Sequence, residues 1–208
     1  LGAQLLARTD SKNLLIVGAG IVAESLVRAY HEMFPSLENI SVWARRADQA
    51  ANLVARLADL DVNLVAAENL AEAAAQSDII SSATMAREPI LKGAWISPGT
   101  HIDLIGAYKA DMREADDALI SKGSIYVDSR ETTLHHIGEL MIPLAAGVIL
   151  ETDIKGDFYD LTDIDDASLG TKSARTSDAE ITVFKNGGGA HMDLMIANYI
   201  SRVVNIAA

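Results

Sequence analysis

The stretch "LLIVGAGIVAESLVRAY", residues 14–30, decides how this chain reads. Together with Asn13, the apolar run up to Gly18 reads as a buried strand, bounded by a polar residue and a glycine. Residues 21–34 then carry apolar side chains at helical spacing and stop before Pro35. At the junction, Gly18-Ala19-Gly20-Ile21-Val22-Ala23 fits G-x-G-x-x-G/A. Each small residue has a physical task there. Gly18 permits the tight turn, Gly20 lets a pyrophosphate approach the backbone, and Ala23 keeps the helix close to the strand. The helix N-terminus offers unpaired N–H groups and a partial positive charge to phosphates. Glycines also make ordinary turns, so the strand–turn–helix context is what gives the pattern weight. The expectation is a dinucleotide held by Gly18, Ala19, Gly20, Ile21 and Val22.

Working outward, strand-like runs alternate with helical patterns. Strands are read at 40–44, 62–66, 78–83, 101–106, 124–128 and 181–186, and helices at 47–60, 69–76 and 189–204. That alternation predicts a doubly wound α/β fold of the Rossmann type, a mostly parallel sheet with helices on both faces. Residues 151–178 are acidic, turn-rich and weakly periodic, and read as surface loop with short helical turns. The "DIDD" run at 163–166 lacks the glycine and terminal glutamate of an EF-hand loop, which argues against calcium. No internal repeat or low-complexity segment is found.

The 208 residues carry 29 acidic and 17 basic side chains, a formal net charge of −12. Such a surface repels nucleic-acid backbones and otherwise means ordinary solubility. The chain has no cysteine, which excludes disulfides and is compatible with a reducing compartment, so a cytoplasmic location is expected. No apolar run reaches the length of a membrane span. His135 and His136 are adjacent, so their side chains diverge and make a poor metal pair. No nucleophilic triad, HExxH or zinc-type spacing is present, and no metal is expected.

The tip of the second strand bears on cofactor choice. NAD-binding proteins usually place a carboxylate there for the ribose 2′-hydroxyl. This chain has Ala44, Arg45 and Arg46 instead. Guanidinium forks suit a phosphate, so NADP(H) is the preferred cofactor, with Arg45 or Arg46 on the 2′-phosphate and NAD(H) as the other option. The alternative is that both arginines are solvated surface groups, or that Asp48 pairs with one of them.

The chain resembles the ornithine cyclodeaminase/mu-crystallin family. The matching pieces are "LARTDSKNLLIVGAGIVAES", "VWARR", "SATMAREPIL", "GTHIDLIGAYKADMREADDALI", "IYVDSRE", "GELMIPL" and "ITVFKNGGGAHMDL". The resemblance implies a two-domain oxidoreductase that moves a hydride between a nicotinamide and the α-carbon of an amino or imino acid. It implies that residues 1–12 lead in from an N-terminal domain, that 13–188 form the dinucleotide-binding domain, and that the closing helix in 189–208 packs towards that other domain. The absent domain would supply most substrate-binding groups and the interface of a homodimer. An abrupt, uncapped start at Leu1 fits the expectation of a fragment.

Within the family, the cyclodeaminases carry an Asp and a Lys at the positions of Tyr108 and Met112, and neither residue here can do that acid–base or charge work. The implied activity is therefore reduction of a cyclic imino acid or ketimine, of the pyrroline-2-carboxylate type. The alternatives are an ornithine cyclodeaminase or alanine-type dehydrogenase, and a non-enzymatic nucleotide or ligand carrier. The resemblance sets Ala83, Thr84 and Met85 against the cofactor, where the plainer reading is a strand-to-loop exit. It sets Ile105 and Gly106 by the nicotinamide and Tyr108 on the substrate side, as a wall, a donor or a cap on the sheet. Ala86 and Asn186 stand where the family often has serine. The "VDSRE" charges read as structural pairing, and no catalytic residue is assigned on this chain.

Overall fold

The computed structural model describes residues 1–161 and 174–207. The elements run α1 (Gly2–Leu6), β1 (Asn13–Val17), α2 (Ile21–Met33), β2 (Asn39–Trp43), α3 (Ala47–Arg56), β3 (Asn63–Ala66), α4 (Leu70–Ala75) and β4 (Ile79–Ser82). They continue β5 (His101–Leu104), α5 (Asp117–Lys122), β6 (Ser124–Val127), α6 (Arg130–Thr133), α7 (Gly138–Ala145), β7 (Ile154–Gly156), α8 (Phe158–Leu161), β8 (Thr182–Lys185) and α9 (Ala190–Ala207). The strands form one sheet in the order β3-β2-β1-β4-β5-β8-β6-β7. Every pairing among them is parallel. This is the Rossmann-type doubly wound sheet.

Parallel strands covered on both faces must be apolar on both, and β1 shows it: Leu14, Leu15, Ile16 and Val17 are all buried. Alternate residues serve opposite cores. Leu14 and Ile16 pack with Ala23, Val27 and Tyr30 of α2 and with Ala50 and Leu53 of α3. Leu15 and Val17 pack with Leu70 and Ala74 of α4, Leu119 and Ile120 of α5 and Leu140 of α7. Helix starts are set locally. Asn69 caps α4 by accepting from the Ala71 and Glu72 N–H groups, and Asp116 caps α5 through the Leu119 N–H.

The entry to the sheet is locked by one carboxylate. Asp78 accepts from the backbone N–H groups of Lys12 and Asn13, both at 2.9 Å, and from Arg8 Nη2 at 2.6 Å. Burial opposes its ionisation, but those donors outweigh it and hold its pKa below the ordinary value. Short α1 is seated on the same face as α2, with Leu5 and Leu6 against Tyr126 and Phe184. Arg175 Nε and Thr182 Oγ1 both donate to the Leu6 carbonyl, at 3.1 Å each.

Within 151–178 the expected short helical turns are present, a 3-10 turn at 151–153 and α8, and the departure is β7, which pairs with β6. Three residues with the exposed Lys155 in the middle leave too short an alternation to read as a strand. The "DIDD" run lies outside the described residues. Helices α5, α6 and α7 match no helix read from the sequence, and the helix read at 47–60 ends at Arg56, after which residues 57–62 turn. No described helix is long and apolar enough to cross a membrane.

Replacing Asp78 with Ala strands two backbone N–H groups and the Arg8 guanidinium. Urea unfolding of Asp78→Ala should show a loss of about 2 kcal/mol, and that loss should shrink as acid protonates the wild-type carboxylate.

Candidate functional site

At β1 the chain turns to opposite sides of the sheet, with β2 on one flank and β4 on the other. Ligands of open α/β sheets bind in the crevice that this reversal leaves beyond the strand ends. Gly18 takes φ +125°, and a Cβ on it would sit 2.7 Å from the Ala83 carbonyl oxygen. No other residue fits this elbow. Gly20 caps α2 without any side-chain hydrogen bond, and a Cβ there would meet nothing within 4 Å. The first-turn N–H groups of α2 therefore face open space, which is the cradle a pyrophosphate requires. Ile21 and Met85 stand at its rim, 87% and 69% exposed.

The strand exits around this cradle are held from beneath. Glu114 is fully buried. Its Oε1 accepts from Ser82 Oγ at 2.6 Å and from Thr84 N and Oγ1 at 2.8 Å each. Its Oε2 accepts from the N–H groups of Gly106 at 2.7 Å and Ala107 at 3.3 Å. One side chain thus ties the end of β4 to the end of β5. The two loops are in such close contact that a Cβ on Gly106 would lie 2.0 Å from the Thr84 carbonyl oxygen.

More buried groups extend this support. Glu139, on α7, accepts from the N–H groups of Glu114 at 2.7 Å and Ala115 at 2.9 Å. Burial, and then the Glu114 carboxyl group, push its pKa up to about 7. Lys185 Nζ donates to the carbonyls of Leu104 at 3.0 Å and Ala107 at 2.7 Å. Burial lowers its pKa against the pull of the surrounding carboxylates. Asp128 accepts from Gly187 N at 2.9 Å and from Gly188 N and Thr133 Oγ1 at 2.8 Å each. On the other face of β5, Asp103 accepts from Tyr30 Oη at 2.9 Å and Asn186 Nδ2 at 2.5 Å. Burial raises its pKa to about 6, with Tyr30 pulling the other way.

The sequence-predicted residues are distributed around this frame. Gly18, Ala19, Gly20, Ile21 and Val22 form the elbow and the first turn of α2. Ala44, Arg45 and Arg46 follow β2, with both arginines exposed. Neither arginine forms an ion pair with any described residue, Asp48 included. Ala83, Thr84 and Met85 leave β4, but the Thr84 N–H and hydroxyl turn inward to Glu114. Ile105 and Gly106 leave β5. Tyr108 is 52% exposed, with Lys109 Nζ 5.3 Å from its ring centroid. Met112 packs in a small core with Ala107 and Ile137, so it takes no part in the cleft. Asp128, read as part of a charge pairing, instead holds the exit of β8. Glu114, Glu139 and Lys185 were missed, because a lone charge in an apolar stretch shows no partner until the fold supplies one.

The glycine elbow, the bare helix end and the reversal of strand order place the chain among Rossmann-type α/β proteins. The model of the ornithine cyclodeaminase/mu-crystallin family matches residues 1–205. The chain belongs to that family. A Delta(1)-pyrroline-2-carboxylate reductase of Paracoccus denitrificans is 59% identical over 98% of this chain and 63% of its own length. The structure of Thermococcus litoralis Delta(1)-pyrroline-2-carboxylate reductase in complex with NADH and L-proline is similar with a TM-score of 0.81 and 34% identity, over 90% of this chain and 56% of that one. The iminosuccinate reductase of Paracoccus denitrificans in complex with NAD+ gives a TM-score of 0.87 at 25% identity, over 99% and 61%. The chain spans about three fifths of the length of these relatives.

Gly106→Ala should cost about 1–3 kcal/mol in thermal unfolding, since backbone rather than a flexible side chain opposes the new methyl group. Glu139 gives a pH signature. The folded state holds its proton more tightly than the unfolded chain between the ordinary value of 4.5 and about 7, so its contribution to stability is present below that window and is lost as pH rises through it. Glu139→Gln, which can accept only one of the two N–H groups, should be less stable than wild type by about 1–3 kcal/mol near pH 5. That gap should narrow when melting is measured in mildly alkaline buffer.

Proposed function

We propose that this chain is the dinucleotide-binding part of an oxidoreductase that reduces the C=N bond of a cyclic imino acid or ketimine, with NADP(H) as the preferred cofactor. The observation that carries the reading is the cradle: a bare glycine elbow at the switch point, an α2 start with no side-chain cap, and two arginines at the tip of β2 that have no ion-pair partner among the described residues. The 59% identity to a relative named as a pyrroline-2-carboxylate reductase supports the imine substrate. The solved relatives hold NADH or NAD+. A preference for the 2′-phosphate would therefore come from Arg45 and Arg46 of this chain.

The cofactor supplies the hydride, and the protein supplies position and electrostatics. Gly18 to Val22 bind the phosphates through backbone N–H groups, with Ala44 beside the ribose. Ala83, Thr84 and Met85 wall one side of the cleft. Ile105 and Gly106 form a narrow apolar floor that excludes water from the nicotinamide. Tyr108 borders the substrate. An imine must be protonated to accept a hydride, and a neighbouring carboxylate needs a cationic clamp. Both groups are assigned to a preceding domain of the kind the family resemblance implies, which would also carry a homodimer interface. The exposed Leu194, Ile196, Tyr199 and Ile200 of α9 supply a face for that domain to cover. The cytoplasmic pool of reduced nicotinamide is the natural supply for such an enzyme.

Calorimetric titration of the chain should give NADPH tighter than NADH by about tenfold or more, with Arg45→Ala and Arg46→Ala eroding the difference and leaving NADH affinity intact. Equal affinities in the parent chain would remove the NADP preference. Failure to bind either would remove the redox reading. In a protein extended to the length of its relatives, Δ1-pyrroline-2-carboxylate should oxidise NADPH where ornithine and alanine turn over poorly. Tight NADPH binding without reduction of any imine would point to a carrier.

A further inference from the structure

Asp103 is a buried carboxylate that the reading above does not use. Burying such a group is costly unless it is fully bonded. Its position is over-determined. Oδ2 is held by the Tyr30 hydroxyl, and Tyr30 is itself buried and stacked on Phe34 at 5.6 Å between ring centroids. Burial and the nearby carboxylate push the Tyr30 phenol well above its ordinary pKa, so it remains a donor. The other oxygen, Oδ1, receives Asn186 Nδ2. A carboxylate only accepts, so the amide must present its NH2 end to Asp103 and cannot flip. The Asn186 backbone is fixed as well, its N–H donating to the Leu104 carbonyl at 3.0 Å, while Asp128 holds the next two N–H groups.

The other end of the amide is free. Asn186 Oδ1 accepts no hydrogen bond from any described residue. Leu104 and Lys185 are paired in register, so Asn186 leaves β8 directly beside Ile105 leaving β5. Asn186, Ile105 and Asp103 line one cavity of about 620 Å³. An apolar side chain next to a fixed, unused amide oxygen matches a flat ring that carries an N–H donor at its edge.

We propose that Asp103 is a positioning residue: it locks the Asn186 amide so that Oδ1 accepts from the carboxamide N–H of a nicotinamide lying against Ile105. This rests on the dinucleotide reading, and deepens it by naming which cofactor edge is read and by which residue. Tyr30 acts one step further back, holding the carboxylate that holds the amide.

The test compares NADP+ or NAD+, whichever binds tighter, with its 3-acetylpyridine analogue, in which a methyl ketone replaces the carboxamide and removes the N–H donors. Calorimetry on the chain should show the natural cofactor favoured by about five- to tenfold, the worth of one hydrogen bond. In Asp103→Asn, either end of the new amide can face Asn186, so the ratio should fall towards one. Asn186→Leu, a change at a half-buried position, should abolish the ratio directly and serves if the Asp103 variant fails to fold. A merely structural role for Asp103 would weaken both ligands equally and leave the ratio intact, and that result would overturn the proposal. So would a wild-type ratio of one. If neither ligand binds the wild-type chain, the dinucleotide reading itself fails and the proposal falls with it. Binding with an unaltered ratio sinks the proposal alone.

Discussion

A carboxylate closed off from water must find donors for both oxygens, and Glu114 finds them at the exits of β4 and β5, adding to the ladder that already pairs the two strands. Three donors come from the end of β4 and two from the end of β5. Past the ladder the two exits are joined through one side chain and packed so closely that a single glycine is obligatory. Glu139 fixes the backbone of Glu114, and Lys185 fixes the carbonyls that the donors leave behind. Such a network rigidifies a core only if every member is satisfied, and each polar atom of Glu114, Glu139 and Lys185 is accounted for among the hydrogen bonds.

The site therefore divides its labour. At the strand exits the proposed ligand surface is backbone, small residues and apolar side chains: Gly18, Gly20, Ile21, Ile105, Gly106. The charged groups lie one layer down, where they bind loops rather than ligands. Arg45 and Arg46 are the exception, exposed cations on a chain of net charge −12. Anion affinity drawn from peptide N–H groups does not depend on any titrating side chain.

The sequence made the first half of the fold readable because its signals there are local. The apolar run of β1, the glycine pair and the amphipathic α2 lie within about twenty residues of one another, and the strand tip with Arg45 follows directly. The second half was harder for physical reasons. β7 is three residues long, α7 is apolar almost all round and carries Pro143, and neither has a period to read. The site shows the same split. The glycine elbow, the arginines and the Ile105–Gly106 exit were visible as motifs. Glu114, Glu139, Asp103 and Lys185 derive their roles from partners distant in sequence: Asp103 meets Tyr30 across 73 residues and Lys185 meets Ala107 across 78. Asn186 stands out in sequence only as a departure from a family pattern, and Asp103, the carboxylate that holds its amide, lies 83 residues away.

The place of β8 carries a consequence for how the molecule comes into being. This late strand lies in the interior of the sheet, between β5 and β6. A chain emerging from the ribosome can pair β1 through β5 as they appear, since each new strand adds to an existing edge. β6 and β7 have no such edge until β8 is synthesised and wedges in beside β5. Until then, two open strand edges and the side chains that will pack on Phe184, namely Leu5, Leu6 and Tyr126, have no mates, a state exposed to wrong pairing and to chaperones. The assembly order is thus written into the topology: the glycine elbow after β1 can form early, while the exit of β8 with Asn186 is the last part to close.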